Sequence, residues 1–247
     1  LMILDLNDFF DLIRVEMNDA IKGLIDQKLN KLFNHAADPE KYDPAFTKTQ
    51  NKLRYILHVA TIMHGQMLEE AYLCALREKL QRCEVWEDKS FKVSNDALQI
   101  TTQLNDQRVL ETFLPYGECA KIGKKNKTNQ VDIIIYDKDK KNITAYEVKR
   151  GGSPHDRQKK EKLLGDLIAT HVLLKDYGKQ KGLEINKSSA FIISHLGTDL
   201  VNPNWRHLQI NGDEVDSHFE TDISTETKKA EEYWLKIFNE NYKELAN

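Results

Sequence analysis

The chain has 247 residues, 40% of them apolar and 30% charged, with 11 glycines, five prolines and a formal net charge of −3. These values fit one sizeable globular domain with a helical annex, and exclude a disordered chain or a fibrous repeat. No apolar run approaches the roughly 20 residues of a membrane span, and Asp5, Asp8 and Asp11 interrupt the opening as they would not in a signal peptide, so a cytoplasmic protein is expected.

The first third reads as helical. Leu6, Phe9, Phe10, Ile13, Met17, Ile21, Leu24 and Ile25 recur at three- and four-residue spacing. Asp38-Pro39 and Asp43-Pro44 punctuate the pattern, which resumes over residues 53–80 through Ile56, Val59, Ala60, Met63, Met67, Ala71 and Leu76. Gly65 lies inside this run, where it would break or bend the helix. After about Glu84 the texture changes to short apolar runs bounded by turn residues, and strands are expected at 111–116, 131–136, 143–148, 190–195 and 207–210. Between the third and fourth, Ser153-Pro154-His155-Asp156 reads as an N-cap, a proline at the first helical position and an acid at N3. It precedes a helix of about six turns with Leu163, Leu164, Leu167, Ile168, His171 and Leu174 on one face. A last helix is expected over 226–245. The order of elements predicts an α/β sandwich, a mixed central β-sheet flanked by helices.

Cys74, Cys83 and Cys119 are odd in number and form no CxxC pair, so neither a disulfide framework nor a thiolate zinc site is indicated. The eight histidines form no HExxH or other tight ligand pattern. Charge is unevenly spread. Residues 117–163 hold 13 Lys or Arg against 7 Asp or Glu, whereas residues 213–247 hold 4 against 10. A locally basic stretch attracts a polyanion even on an acidic protein, although a solvated lysine loop is the commoner meaning of such a run.

The most informative stretch is residues 130–152, QVDIIIYDKDKKNITAYEVKRGG. It reads as a hairpin with acids inside its strands. Alternation puts Asp132, Ile134 and Tyr136 on one face of the first strand, and Ala145, Glu147 and Lys149 on one face of the second. Pairing symmetrical about Asp139-Lys140 matches 136 with 143, 134 with 145 and 132 with 147. Asp132 and Glu147 then face each other, and opposed carboxylates repel unless a cation or proton lies between them. A one-residue slip would put them on opposite faces.

Val131-Asp132, followed after fourteen residues by Glu147-Val148-Lys149, resembles the PD-(D/E)xK nuclease superfamily, which includes most type II restriction endonucleases. The resemblance implies a restriction-endonuclease-like core in which Asp132 and Glu147 bind Mg²⁺, the carbonyl of Val148 assists, and Lys149 orients or activates the attacking water. It also implies a glutamate on a preceding helix, supplied here by Glu69 or Glu70, with Glu69 favoured by its spacing from Gly65. Val131 stands where the pattern has proline. The implied organisation is a single nuclease domain, with a mainly helical region 1–64, a catalytic α/β core 65–212 and a C-terminal helix 213–247.

Bland readings stand beside these. The two acids could be exposed on a solvated face, although VDIII and TAYEV are too apolar for an exposed ribbon. Glu69 could be an ordinary surface acid. Lys121, Lys124, Lys125 and Lys127 would follow a DNA backbone or merely confer solubility, and Arg150, Arg157, Lys159 and Lys160 gain weight as DNA contacts by flanking the site. Gly151-Gly152 either lets a phosphate approach the backbone or ends a strand. The expected function is Mg²⁺-dependent cleavage of double-stranded DNA by a type II restriction enzyme, with a homodimer and a cognate DNA methyltransferase as partners. A structure-selective repair or recombination nuclease, and a non-catalytic DNA-binding module that retains the fold, are the alternatives.

Overall fold

A computed structural model describes residues 17–35, 43–103, 106–122, 125–152 and 156–246. The chain divides into two compact units, a helical one from Leu1–Met63 and Lys228–Asn247, and an α/β one from His64–Thr227.

In the helical unit, α1 spans Asp19–His35 and buries Ile21, Ile25, Leu29 and Leu32, a stripe that three- and four-residue spacing places on one face. Leu6, Phe9, Phe10 and Ile13 of the expected first helix lie outside the described residues. The next helix, α2, spans Lys48–Lys79. Thr47 and Gln50 begin it with a reciprocal pair of hydrogen bonds: the Gln50 amide donates to the Thr47 hydroxyl at 3.2 Å, and the Thr47 amide to the Gln50 side chain at 2.9 Å. Gly65 does not break it. A glycine costs a helix interior about 1 kcal/mol, less than the burial of Leu68, Ala71, Tyr72 and Leu76 in the following turns returns.

Residues 64–79 of α2 open the α/β unit. After them come β1 (Cys83–Lys92), the short α3 (Asn95–Ile100), the two-residue strands β2 (Lys121–Ile122) and β3 (Lys125–Asn126), β4 (Thr128–Asp137), β5 (Asn142–Lys149), α4 (Arg157–Gln180), β6 (Lys187–Ser194), β7 (Gln209–Asn211) and α5 (Val215–Phe219). A last helix, α6 (Ser224–Ala246), carries the chain back into the helical unit, where the Tyr233 hydroxyl donates to Asp26 at 2.8 Å. The central sheet has the order β1-β4-β5-β6-β7. Its first two pairings are antiparallel and its last two parallel, so it is mixed. Parallel β5 and β6 need a crossover, and α4 provides it.

The sheet is buried on both faces. Ile133, Ile135, Tyr146, Val148 and Ile193 meet Tyr72, Leu73 and Leu76 of α2. Ile134, Tyr136, Ile143, Ala145 and Ile192 meet Leu164, Leu167, Ile168 and Val172 of α4. The run IIIY of β4 reads as continuous for this reason: alternate residues serve opposite layers.

Three local expectations are corrected. Residues 111–116 form no strand. A 3₁₀ turn over Gln107–Glu111 leads into an extended segment that α4 satisfies, the Leu114 amide donating to the Val172 carbonyl and the Tyr116 amide to Asp176, both at 2.8 Å. β1 was unanticipated because its sequence, CEVWEDKSFK, is that of a charged edge strand with only Phe91 buried. The N-cap of α4 is Asp156, whose carboxylate accepts from the Lys159 amide at 2.8 Å, so the acid expected at N3 does the capping. Ser153, Pro154 and His155 lie outside the described residues. Among the described residues no helix is long and apolar enough to cross a membrane.

Candidate active site

The hairpin that carries the acids is pinned at its turn. Asp137 accepts the amides of Asp139 and Lys140 at 3.0 and 2.9 Å, and Lys141 closes the loop with a left-handed φ of 54°. The register is the symmetrical one, with Tyr136 opposite Ile143, Ile134 opposite Ala145 and Ile133 opposite Tyr146. There the ladder stops. The strands continue without pairing to each other, and the amide of Val148 donates to Oδ2 of Asp132 at 2.8 Å. Oδ1 of the same carboxylate accepts from the Gln130 side chain at 3.1 Å. A side chain thus takes a backbone donor at the point where the two strands fork.

Into this fork Lys149 folds back. Its Nζ lies 2.5 Å from Oε1 of Glu147, 3.1 Å from the carbonyl of Val148 and 3.7 Å from Oδ2 of Asp132. Three oxygens from two strands converge on one cation. They are well removed from water, the Asp132 side chain being 3% exposed and that of Glu147 25%. Burial raises the Asp132 carboxyl above its ordinary range against the opposing pull of Lys149, the Val148 amide and Gln130. Glu147 is pushed up to about 7, first by burial and then by Asp132. For Lys149, burial works against its charge, but Glu147 and Asp132 outweigh it and its pKa rises.

Glu69 joins the group from α2. Burial and then the charge of Asp132 push its carboxyl up to about 7, with Lys149 opposing and Glu147 reinforcing. Glu70 adds to the negative field at Glu69 and, after burial, also raises the pKa of the Cys74 thiol. Burial is the main reason these acids hold protons so far up the pH scale, and their mutual repulsion adds to it, since three ionised carboxylates and one ammonium would leave two negative charges in excess.

The donor set suits a hard divalent cation. Two carboxylates and a carbonyl are the oxygen ligands that Mg²⁺ takes while keeping several waters, and a charge of +2 cancels the excess. Among the described residues no three His, Cys, Asp or Glu side chains converge closely enough to form a metal cage without the carbonyl.

The basic residues are dispersed. Lys121 lies in β2 and Lys125 in β3, and Lys124 lies outside the described residues. Lys127 is paired with Asp166 of α4 at 3.2 Å. Arg157 and Lys159, in the first turn of α4, pair with Glu161 at 2.7 Å and Asp156 at 3.6 Å, and Lys160 follows them in the same turn. Arg150 continues β5 directly past Lys149, and its buried Nε has no hydrogen-bond partner among the described residues. Gly151 and Gly152 have φ of +75° and +87°, and a Cβ on either would come within 3.0–3.2 Å of Ser194, Leu196 or Thr198. These glycines turn the chain tightly across the end of β6.

Two residues at the site were not anticipated from sequence. Gln130 shares a strand face with Asp132, a spacing that could have suggested it. Tyr72, one helical turn beyond Glu69, is hydrogen-bonded at 3.0 Å to Nδ1 of His195, whose amide donates to the carbonyl of Lys149 at 2.9 Å. No local pattern announces that contact, because its partners are 123 residues apart. The chain matches no protein-family profile, no curated protein and no solved structure.

Proposed function

We propose that this protein is a Mg²⁺-dependent endonuclease that hydrolyses phosphodiester bonds of double-stranded DNA, with a restriction-endonuclease-like core of the PD-(D/E)xK kind. One observation carries the reading: Asp132, Glu147, the carbonyl of Val148 and Lys149 meet where β4 and β5 fork, with Glu69 beside them and two negative charges in excess.

Asp132, Glu147 and the Val148 carbonyl would hold the ion. When bound, Mg²⁺ supplies polarisation of the phosphate and a lower pKa for a coordinated water. The Val148 amide and Gln130 fix Asp132 for this task. Lys149, once released from Glu147, places its ammonium where negative charge grows on the phosphorane oxygens. Glu69, with a carboxyl near 7, is matched to taking the proton of the attacking water. The water oxygen bonds to phosphorus as the bond to the departing ester oxygen breaks, and that oxygen leaves with a proton from solvent. Cutting both strands calls for two such sites, hence a homodimer, and a restriction enzyme needs a cognate methyltransferase to protect host DNA.

Incubating the purified protein with plasmid and linear duplex DNA, with and without Mg²⁺, tests the reading. Defined fragments in the presence of metal support sequence-specific cleavage. Products that track nicks, flaps or forks point instead to a structure-selective nuclease. Metal binding with no cleavage of any DNA removes the catalytic claim and leaves a DNA-binding module.

A further inference from the structure

The fork between β4 and β5 has a room behind it. The β4–β5 ladder ends at Ile133 and Tyr146, so residues 128–132 of β4 and 147–149 of β5 run on with no strand between them. A cavity of about 260 Å³ fills the gap under α4, and Glu147 is part of its wall. Val131, Leu163 and Leu167 give it apolar sides. Gln130, Lys162 and Asp166 bring hydrogen-bonding groups to its edges, with Asp166 also holding Lys127.

The cavity is slightly smaller than the roughly 300–1,000 Å³ of most small-molecule sites, which suits one planar ring system and excludes a whole dinucleotide cofactor. Glu147 borders both this cavity and the Asp132–Lys149 cluster, so one ligand can reach from one to the other. In a nucleic acid, the group tethered to a phosphate in this way is a nucleobase, with flat apolar faces and polar edges. A base stacked and paired inside a duplex cannot enter a slot between a sheet and a helix, whereas an unpaired or extruded one can.

We infer that this cavity receives a single unstacked nucleobase of the strand being cut, next to the scissile phosphate. The inference rests on the nuclease reading and adds to it the extrusion of one nucleotide from the duplex at the cut, a step that a nucleotide already unpaired does not need.

The test uses the full chain carrying Asp132→Asn, in chelator so that nothing is cut, with duplex, forked and single-stranded oligonucleotides in which 2-aminopurine is moved one position at a time. One position in the forked and single-stranded DNAs should change fluorescence on binding, and an abasic site there should weaken binding roughly fivefold or more. Leu163→Trp, which fills the cavity, should abolish both effects. Because Leu163 is buried, Lys162→Trp at the exposed rim serves as a second obstruction that spares the fold. A silent scan, or a signal unaltered by both obstructions, in a protein whose parent cleaves DNA overturns this inference alone. Absence of any DNA binding or cleavage overturns the nuclease reading and this inference with it.

Discussion

The ammonium of Lys149 lies 2.5 Å from Oε1 of Glu147, between that carboxylate, Asp132 and the Val148 carbonyl, the oxygens that would hold the ion in the proposed mechanism. On the proposed mechanism, lysine and metal would compete for the same oxygens. A bound Mg²⁺ would displace the ammonium from these oxygens.

Lys149→Met should accordingly bind Mg²⁺ more tightly than the parent while being less stable without it. Removing one partner of a buried pair costs about 3–5 kcal/mol, but Lys149 is 31% exposed and Glu147 can take up a proton, so a loss of about 1–2 kcal/mol is expected. Thermal unfolding across a Mg²⁺ titration measures both effects, and weaker metal binding in the variant would contradict the competition. In single-turnover cleavage the variant should lose rate far more than DNA affinity. The opposite split would make Lys149 a phosphate clamp.

Asp132→Asn should abolish cleavage yet bind DNA without metal at least as well as the parent. In the proposed mechanism the excess negative charge would face the scissile phosphate, and the substitution removes part of it. At about 4–5 Å and an effective dielectric near 20, one like-charge contact costs on the order of 3–4 kcal/mol before screening, of which a fraction should appear as tighter binding. Asparagine retains an oxygen that can accept the Val148 amide. Cleavage at the parental rate by a folded variant would remove Asp132 from the mechanism.

Activity should require a divalent cation, with Mg²⁺ and Mn²⁺ supporting cleavage and Ca²⁺ supporting DNA binding alone. The motivation is the all-oxygen donor set at the fork. Nuclease assays after exhaustive chelation provide the check, and undiminished cutting there defeats the metal requirement.

The raised carboxyls of Glu147 and Glu69 make metal-free stability depend on pH. Each titrates near 4.5 in an unfolded chain and near 7 in the folded one. The folded protein thus binds more protons between those values, and stability is lost as pH rises from about 4.5 through about 7. Glu147→Gln should match the parent near pH 5 and exceed it at pH 7.5, since glutamine resembles the protonated acid. One proton sets an upper limit of about 1.4 kcal/mol per pH unit on the difference in slope. Denaturant unfolding of both proteins in chelator at pH 5, 6 and 7.5 reads it. Parallel pH profiles would show that Glu147 ionises as readily in the fold as outside it.

The hairpin was legible because two local rules agree. Alternation at period two assigns faces along both strands, and a symmetrical four-residue loop sets the register from Asp137–Asn142 to Ile133–Tyr146. The expected pairing of Asp132 with Glu147 is not made, because the ladder ends one step before it and Asp132 instead accepts the Val148 amide. The α4 stripe was legible through its helical period. β1 was hidden because a charged edge strand lacks the apolar alternation that marks a buried one, and residues 111–116 misled because an apolar run reads the same whether a strand or a helix satisfies its amides. Glu69 and Glu70 could not be separated by spacing alone, since neighbours on a helix differ in direction by about 100° and only the packing of α2 on the sheet fixes which one looks inwards. The contact of Tyr72 with His195 depends on three elements meeting, which no window of sequence contains.

The edges of the sheet bear on how a second copy could join. β1, the outer strand on one side, carries Glu84, Glu87, Asp88, Lys89 and Lys92 and is interrupted by two irregularities in its pairing with β4. β7, on the other side, is three residues long. Charges, bulges and shortness are the means by which proteins discourage strand addition, so neither edge invites a ten-stranded sheet running through a dimer. Two subunits gripping opposite strands of one duplex would have to meet through helices or loops, leaving each sheet, and the fork within it, to its own subunit.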